Sequence, residues 1–226
     1  MMNAMRNPAP RVVAWARAGL FVLALLPLAR LVWLGFTDGL GANPIEFITH
    51  STGTWTLVGL LATLSVTPLR KLSGWNWLLR LRRMLGLFAF FYASLHFITY
   101  IWLDQFFDLN AVLRDVIKRP FITVGFLAFV LLIPLAVTSS NAMVKRLGGK
   151  NWQRLHRLVY VIAILGVTHY WWLVKKDITQ PLIYALILAA LLAFRLLLKV
   201  NVAGLGGLRK PSVNPASKNK RALSRQ

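Results

Sequence analysis

Apolar residues in this chain come in long blocks, not in the alternation of a half-buried strand or the narrow stripe of a surface helix. Runs with few or no charges occupy about Ala14–Phe36, Ser51–Leu69, Met84–Leu103, Pro120–Val137, Leu158–Val174 and Ile178–Phe194. Each approaches the roughly 20 residues that an α-helix needs to cross the hydrocarbon core of a bilayer. The pattern predicts an all-α integral membrane protein, a bundle of six transmembrane helices. The first run is long enough to span and has no obvious small-residue cleavage site after it, so it reads as a helix and not as a removable signal.

Between the runs lie turn and breaker residues. Gly, Asn and Pro in GFTDGLGANPIEF mark a loop, after which Ser51, Thr52 or Thr54 is expected to cap the second span, and Thr67–Pro68 to end it. Pro27 falls inside the first span, where neighbouring helices can satisfy the freed carbonyl. Two shorter segments have an amphipathic character suited to the headgroup region: PLRKLSGWNWLLRLRR, and the stretch with Leu109, Val112, Leu113 and Val116 at helical spacing. From residue 200 the apolar period stops, and GLGGLRKPSVNPASKNKRALSRQ reads as a disordered basic tail. The expected organisation is a short N-terminus over 1–13, a membrane domain over 14–199 and a tail over 200–226. No stretch is left for a nucleotide-binding domain, so a nicotinamide module would have to be another chain.

Charge fixes the sidedness. The chain has 27 Lys+Arg against 6 Asp+Glu, a net charge of +21. Twenty-one of the basic residues fall at the N-terminus, in the loops at 70–83 and 145–157, and in the tail; the other six share the opposite side with all the acidic residues. The positive-inside rule then puts both termini and those two loops in the cytoplasm. A charge that tracks sidedness suits anionic lipid headgroups, and a nucleic-acid partner is not expected.

The candidate chemistry is histidine. An ionisable group inside a lipid-spanning segment is costly and marks a functional site by default. His96 lies 13 residues after Arg83 and eight before Asp104; His169 lies 12 after Arg157 and six before Lys175. At about 1.5 Å per residue both sit at one level in the outer half of the membrane. Two imidazoles at equal depth on helices running the same way suit axial ligation of one haem iron, with Ala93 and Gly166 one turn inward leaving room for the porphyrin. Histidines used only as interhelical hydrogen-bonding glue, in a redox-silent scaffold or transporter, are the alternative. Cysteine is absent, which excludes thioether attachment of a haem.

The other two histidines are weaker. His156 lies 13 residues before His169, about 20 Å inward and about 140° round a straight helix, so a bulge or unwinding would be needed for both to face one stack of cofactors. His50, at the outer mouth of the second span, is expected to be a surface or partner-docking residue.

NPIEFITHSTGTWTL, TLSVTPLRKL, RRMLGLFAFFYASLHFITYIWLD, RPFITVGFLAFVLLIPLAVTSS and WQRLHRLVYVIAILGVTHYWWLV together resemble the haem-binding membrane subunits of the bacterial MsrPQ system, the MsrQ family. That family is in turn similar to the ferric-reductase and NADPH-oxidase transmembrane domain. The resemblance implies a b-type cytochrome with one haem and the question of a second, together with FMN. It implies electrons taken from the quinone pool or a cytosolic flavin reductase and passed to a periplasmic molybdopterin enzyme, MsrP, which reduces methionine sulfoxide in envelope proteins. The chain would then be the electron-transfer subunit and not the catalytic one; a ferric or cupric reductase is the competing reading. By the same resemblance His96, His156 and His169 match haem-associated histidines. The larger oxidase family carries a further histidine where Arg82 or Arg83 stands here, and a guanidinium has no lone pair for iron. Arg82, Arg83 and Arg154 are expected instead to bind an FMN phosphate or a haem propionate.

Overall fold

The computed structural model describes residues 8–174 and 176–207, with side chains described to residue 198. The N-terminal residues 1–7, Lys175 and the expected tail over 208–226 lie outside the described residues. Regular structure among the described residues is helical: α1 Pro10–Phe36, α2 Pro44–Ser73, α3 Leu79–Thr99, α4 Leu109–Lys118, α5 Pro120–Val137, α6 Asn141–Leu147, α7 Gly149–His156, α8 Leu158–Leu173 and α9 Thr179–Gly207. A 3₁₀ turn at Asn76–Leu78 leads into α3, and a π-helical turn at Tyr100–Asp104 ends it. The chain divides after Leu191 into two units. The first holds α1 to α8 and the site described below; the described part of the second is the end of α9.

Five helical stretches are long and apolar enough to cross a membrane: Pro10–Phe36, Pro44–Ser73, Asn76–Asp104, Pro120–Val137 and Thr179–Leu198. The remaining expected span, α8, is helical and apolar but has only 16 residues. Their lipid-side character shows in what they leave outward. Val22, Leu23, Leu127, Val130 and Leu186 are exposed, the reverse of a water-soluble surface, because a bilayer removes the penalty for exposed hydrocarbon.

Helix ends follow local chemistry, and here the sequence-based boundaries need correction. α2 begins seven residues before Ser51: the Asn43 carboxamide oxygen accepts the Glu46 amide at 3.2 Å and its NH₂ donates to the Glu46 carboxylate at 2.9 Å, a reciprocal cap, with Pro44 in the first turn. Thr52, one of the expected caps, is buried in the helix with its hydroxyl on the Ile48 carbonyl at 2.8 Å. Pro68 does not stop α2 either. It lies near the helix's last turn, and the helix continues to Gly74, whose φ of 75° forms a left-handed cap. α4 is the expected interfacial helix, capped by Asp108 through the Asn110 and Ala111 amides. α9 runs through Gly207, past the boundary expected at residue 199.

The core of the first unit is the packing of α2 on α3 and of α5 on α8, the two most extensive helix pairs. Leu57, Leu60, Leu61 and Leu64 of α2 are buried against this core with Ala89, Tyr92 and Ala93 of α3 and Ile162 and Ala163 of α8. Small residues set the spacing: a Cβ on Gly59 would stand 3.0 Å from the Ala89 Cβ and 3.1 Å from its Cα, so α2 and α3 approach at backbone contact. α1 is tied to α3 by the Tyr92 hydroxyl, which donates to the Ala24 carbonyl at 2.6 Å. Gly59→Ala is expected to force these helices apart and cost about 1–3 kcal/mol, an overpacking penalty. The measurement is the unfolding midpoint of the detergent-solubilised protein, which should fall.

Candidate functional site

α2 and α5 begin at the end of the bundle where α3 and α8 finish. His96 is in the last turn of α3, and its Nδ1 lies 2.9 Å from the Thr49 carbonyl oxygen of α2. His169, in the last two turns of α8, has its Nδ1 2.6 Å from the Phe121 carbonyl oxygen of α5. A carbonyl can only accept, so in both residues Nδ1 carries the proton and donates. The second ring nitrogen, Nε2, is therefore left with its lone pair. Both histidines thus hold the tautomer of a metal-ligating imidazole whose other nitrogen is fixed by an outer hydrogen bond.

The two rings meet. Their centroids are 6.1 Å apart with planes at 74°. Two metal–imidazole bonds of about 2.0 Å each, together with the distance from each ring centre to its nitrogen, come to roughly 6 Å. No group of three or more His, Cys, Asp or Glu suited to a metal occurs among the described residues. A porphyrin supplies four nitrogens of its own and asks the protein only for axial ligands.

Around the pair is a cavity of about 550 Å³, within the range of cofactor pockets. Leu57, Leu60, Phe97, Phe129, Ile162 and Gly166 line its body, while His50, Glu46, Asp104 and Arg119 stand at its edge. Phe97 and Phe129 stack at 4.6 Å, joining α3 to α5 across one wall. Ala93 and Gly166, expected from the sequence to leave room for a planar ring, both line this cavity. His50 is exposed and belongs to its mouth, on the same end as His96 and His169.

His156 belongs elsewhere. It closes α7 and does not line the cavity of the pair. The helix is interrupted just after it: Arg157 separates α7 from α8, with three-residue bonds from the Arg157 amide to Arg154 and from the Tyr160 amide to Arg157. A break in helical register therefore lies between His156 and His169. The His156 ring lies 3.8 Å from the Trp152 ring, its Nδ1 donates to the Trp152 carbonyl at 3.1 Å, and Trp152 Nε1 donates to the Thr138 carbonyl at the end of α5 at 2.9 Å. Its Nε2 is buried without a well-formed hydrogen bond, although the Leu135 carbonyl is near enough to act on the ring. Burial holds this imidazole below its usual pKa; the two carbonyls oppose the shift, and Arg82 and Arg83 add to it. Arg82 and Arg83 are thus brought within electrostatic reach of His156, with Arg83 and Arg154 exposed.

Two features of the site escaped the sequence. The carbonyls of Thr49 and Phe121 act as backbone groups, so no side chain announces them. A polar hub beside the cavity edge was also missed: Asp115 accepts from the Tyr100 hydroxyl at 3.4 Å and from Gln105 Nε2 at 3.2 Å, and pairs with Arg119 at 3.3 Å. Only the i, i+4 spacing of Asp115 and Arg119 could have signalled it.

Residues 52–167, which include His96 and His156, match the family described as ferric reductase like transmembrane component. The chain is 64% identical over 191 residues to a protein of Herminiimonas arsenicoxydans, covering 84% of this chain and 88% of that one. It is 55% identical over 212 residues to one of Azospira oryzae, covering 92% and 91%, and 58% identical over 183 residues to one of Rhodospirillum rubrum, covering 80% and 86%. All three relatives are named protein-methionine-sulfoxide reductase heme-binding subunit MsrQ. At this identity and coverage the chain belongs to the MsrQ haem-binding subunits within the ferric-reductase-like transmembrane family.

Proposed function

We propose that this protein is a six-span b-type cytochrome of the bacterial inner membrane that carries electrons outward to a periplasmic methionine sulfoxide reductase. The observation that carries the proposal is the histidine pair: two imidazoles on different helices, 6.1 Å apart, each with Nδ1–H spent on a backbone carbonyl. His96 and His169 would be the axial ligands. A haem held there supplies reversible one-electron chemistry at its iron. The chain's own part is to orient two lone pairs, exclude water with an apolar wall of Leu57, Leu60, Phe97, Phe129 and Ile162, and keep the site at low dielectric.

Six spans require α8 to cross, with α7 leading into it through Arg157. That count, with the basic loops inside, would put both termini in the cytoplasm and the histidine pair near the outer face. His50, Glu46, Asp104 and Arg119 at the cavity edge would then face the side on which a molybdopterin partner of the MsrP kind receives electrons. The donor would be the quinone pool or a cytosolic flavin reductase, since no nucleotide-binding fold occurs among the described residues.

The inner end carries a narrower proposal. An imidazole nitrogen buried without a well-formed hydrogen bond at His156 is the kind of group that a ligand satisfies, so His156 is the residue to test for a second haem. Arg82, Arg83 and Arg154 suit a propionate or an FMN phosphate. None of the three lines the cavity of the histidine pair, so a group bound there would be a second one.

Purified protein is expected to show a Soret band and sharp b-type bands after dithionite, with the low-spin signature lost in both His96→Ala and His169→Ala; a colourless, iron-free preparation overturns the cytochrome reading. His156→Ala should leave that outer signature intact. If His156 holds a second haem, haem per polypeptide halves in this variant, and unchanged content removes it from the ligand set. In cells, deleting the gene should stop reduction of methionine sulfoxide in envelope proteins, and His169→Ala should not restore it. Undiminished repair with lost reduction of ferric or cupric ions would identify a metal reductase instead.

A further inference from the structure

Each histidine bonds a helix carbonyl at position i, and in each case residue i+4 of that helix is glycine: Thr49 with Gly53 on α2, and Phe121 with Gly125 on α5. A carbonyl inside an α-helix is already the acceptor for the amide four residues on, here that of the glycine itself. To receive a donor from a neighbouring helix as well it must be approached from the side, and the side chain at i+4 stands beside that approach; the Thr49 carbonyl additionally accepts from the Thr52 hydroxyl of its own helix at 3.0 Å.

The space at both glycines is filled by the imidazole. A Cβ on Gly125 would stand 2.7 Å from Nδ1 of His169, 2.8 Å from its Cε1 and 3.1 Å from its Cγ. A Cβ on Gly53 would stand 3.0 Å from Cε1 of His96 and 3.2 Å from its Nδ1. Carbon atoms in ordinary contact keep about 3.5–4.0 Å, so no other residue fits at either place without displacing the ring. Glycines elsewhere in the bundle do not share this property. Gly86 meets nothing nearer than 3.8 Å, and Gly59 meets Ala89 and no histidine.

We propose that Gly53 and Gly125 are positioning residues that act through the imidazoles, as paired seats that admit each Nδ1–H to a helix carbonyl and so set the donor strength of Nε2. The proposal rests on the haem reading of the site. A hydrogen bond from the far nitrogen makes an imidazole a more basic ligand, which favours the ferric state. A methyl group at either seat weakens that bond and makes the iron easier to reduce. The closer approach at residue 125 makes its effect the larger.

The test compares Gly125→Ala, Gly53→Ala, Gly59→Ala and Gly86→Ala in the full-length, haem-loaded protein, by redox titration and low-temperature EPR of the haem. Gly125→Ala is expected to move the midpoint potential to more positive values and to change the low-spin g-values. Gly53→Ala should shift both in the same direction by less. Gly59→Ala, which only crowds the α2–α3 contact, should lower the yield of loaded protein while the haem that remains titrates as wild type; Gly86→Ala should change neither. A wild-type potential and EPR spectrum in both seat variants overturns the proposal, as does an equal shift in Gly59→Ala. If Gly125→Ala does not assemble, Gly53→Ala decides by the same criteria. A wild-type protein without haem would sink the functional reading first. The seats are then read from imidazole ¹⁵N shifts: Nδ1–H hydrogen-bonded in the wild type and released in the alanine variants supports them, and identical shifts refute them.

Discussion

Two hydrogen bonds, from His96 Nδ1 to Thr49 and from His169 Nδ1 to Phe121, decide what the centre of this protein can do. They do not hold the bundle together. Interhelical polar contacts in membranes are worth about 0.6 kcal/mol on average, far less than the packing of α2 on α3 and α5 on α8. Their consequence is directional: with Nδ1 committed as a donor, each ring has one tautomer and one lone pair left. Each bond also runs within one of the two major helix pairs. The packing that keeps α2 beside α3, and α5 beside α8, therefore also fixes the orientation of the imidazoles.

The geometry at this end of the bundle follows from helix direction. α2 and α5 start where α3 and α8 end, so the seats come from within the first three turns of their helices and the histidines from the last two turns of theirs. Asn43 and Pro44 start α2, and Arg119 and Pro120 start α5. These caps set where the Thr49 and Phe121 carbonyls fall relative to the ligands. A shift of either start by one residue would turn its carbonyl by about 100° around the helix and leave an imidazole proton unsatisfied in an apolar cavity.

Much of this was legible in the sequence because lipid imposes simple rules. Backbone groups in hydrocarbon must be satisfied within a helix, so apolar blocks between Arg11 and Arg195 had to be helical, and charges such as Arg83, Asp104 and Arg157 marked their ends closely enough to put His96 and His169 at one level. Boundaries failed where local caps won over hydropathy: the Asn43–Glu46 cap pulled α2 seven residues outward, and the αL cap at Gly74 carried it past Pro68. The carbonyl partners were illegible for a different reason. A backbone oxygen is present at every residue, and which one faces a neighbouring helix is settled only by the packing of the two helices.

Glycine shows the same limit more sharply. Gly166, on the histidine's own helix, stands out in the sequence because it is one turn from His169, yet a Cβ there would meet Leu57 at 3.6 Å and Leu60 at 4.0 Å, both ordinary contacts. The tight positions are Gly53 and Gly125, 43 and 44 residues away along the chain from the histidines they face. Spacing along one helix reports what a ligand's own helix can clear; it says nothing of the helix opposite. In a site built between helix pairs, the residues that hold a ligand in place lie on the partner helix, and they are recognised by a missing side chain beside a carbonyl that accepts from the neighbouring helix as well as from its own.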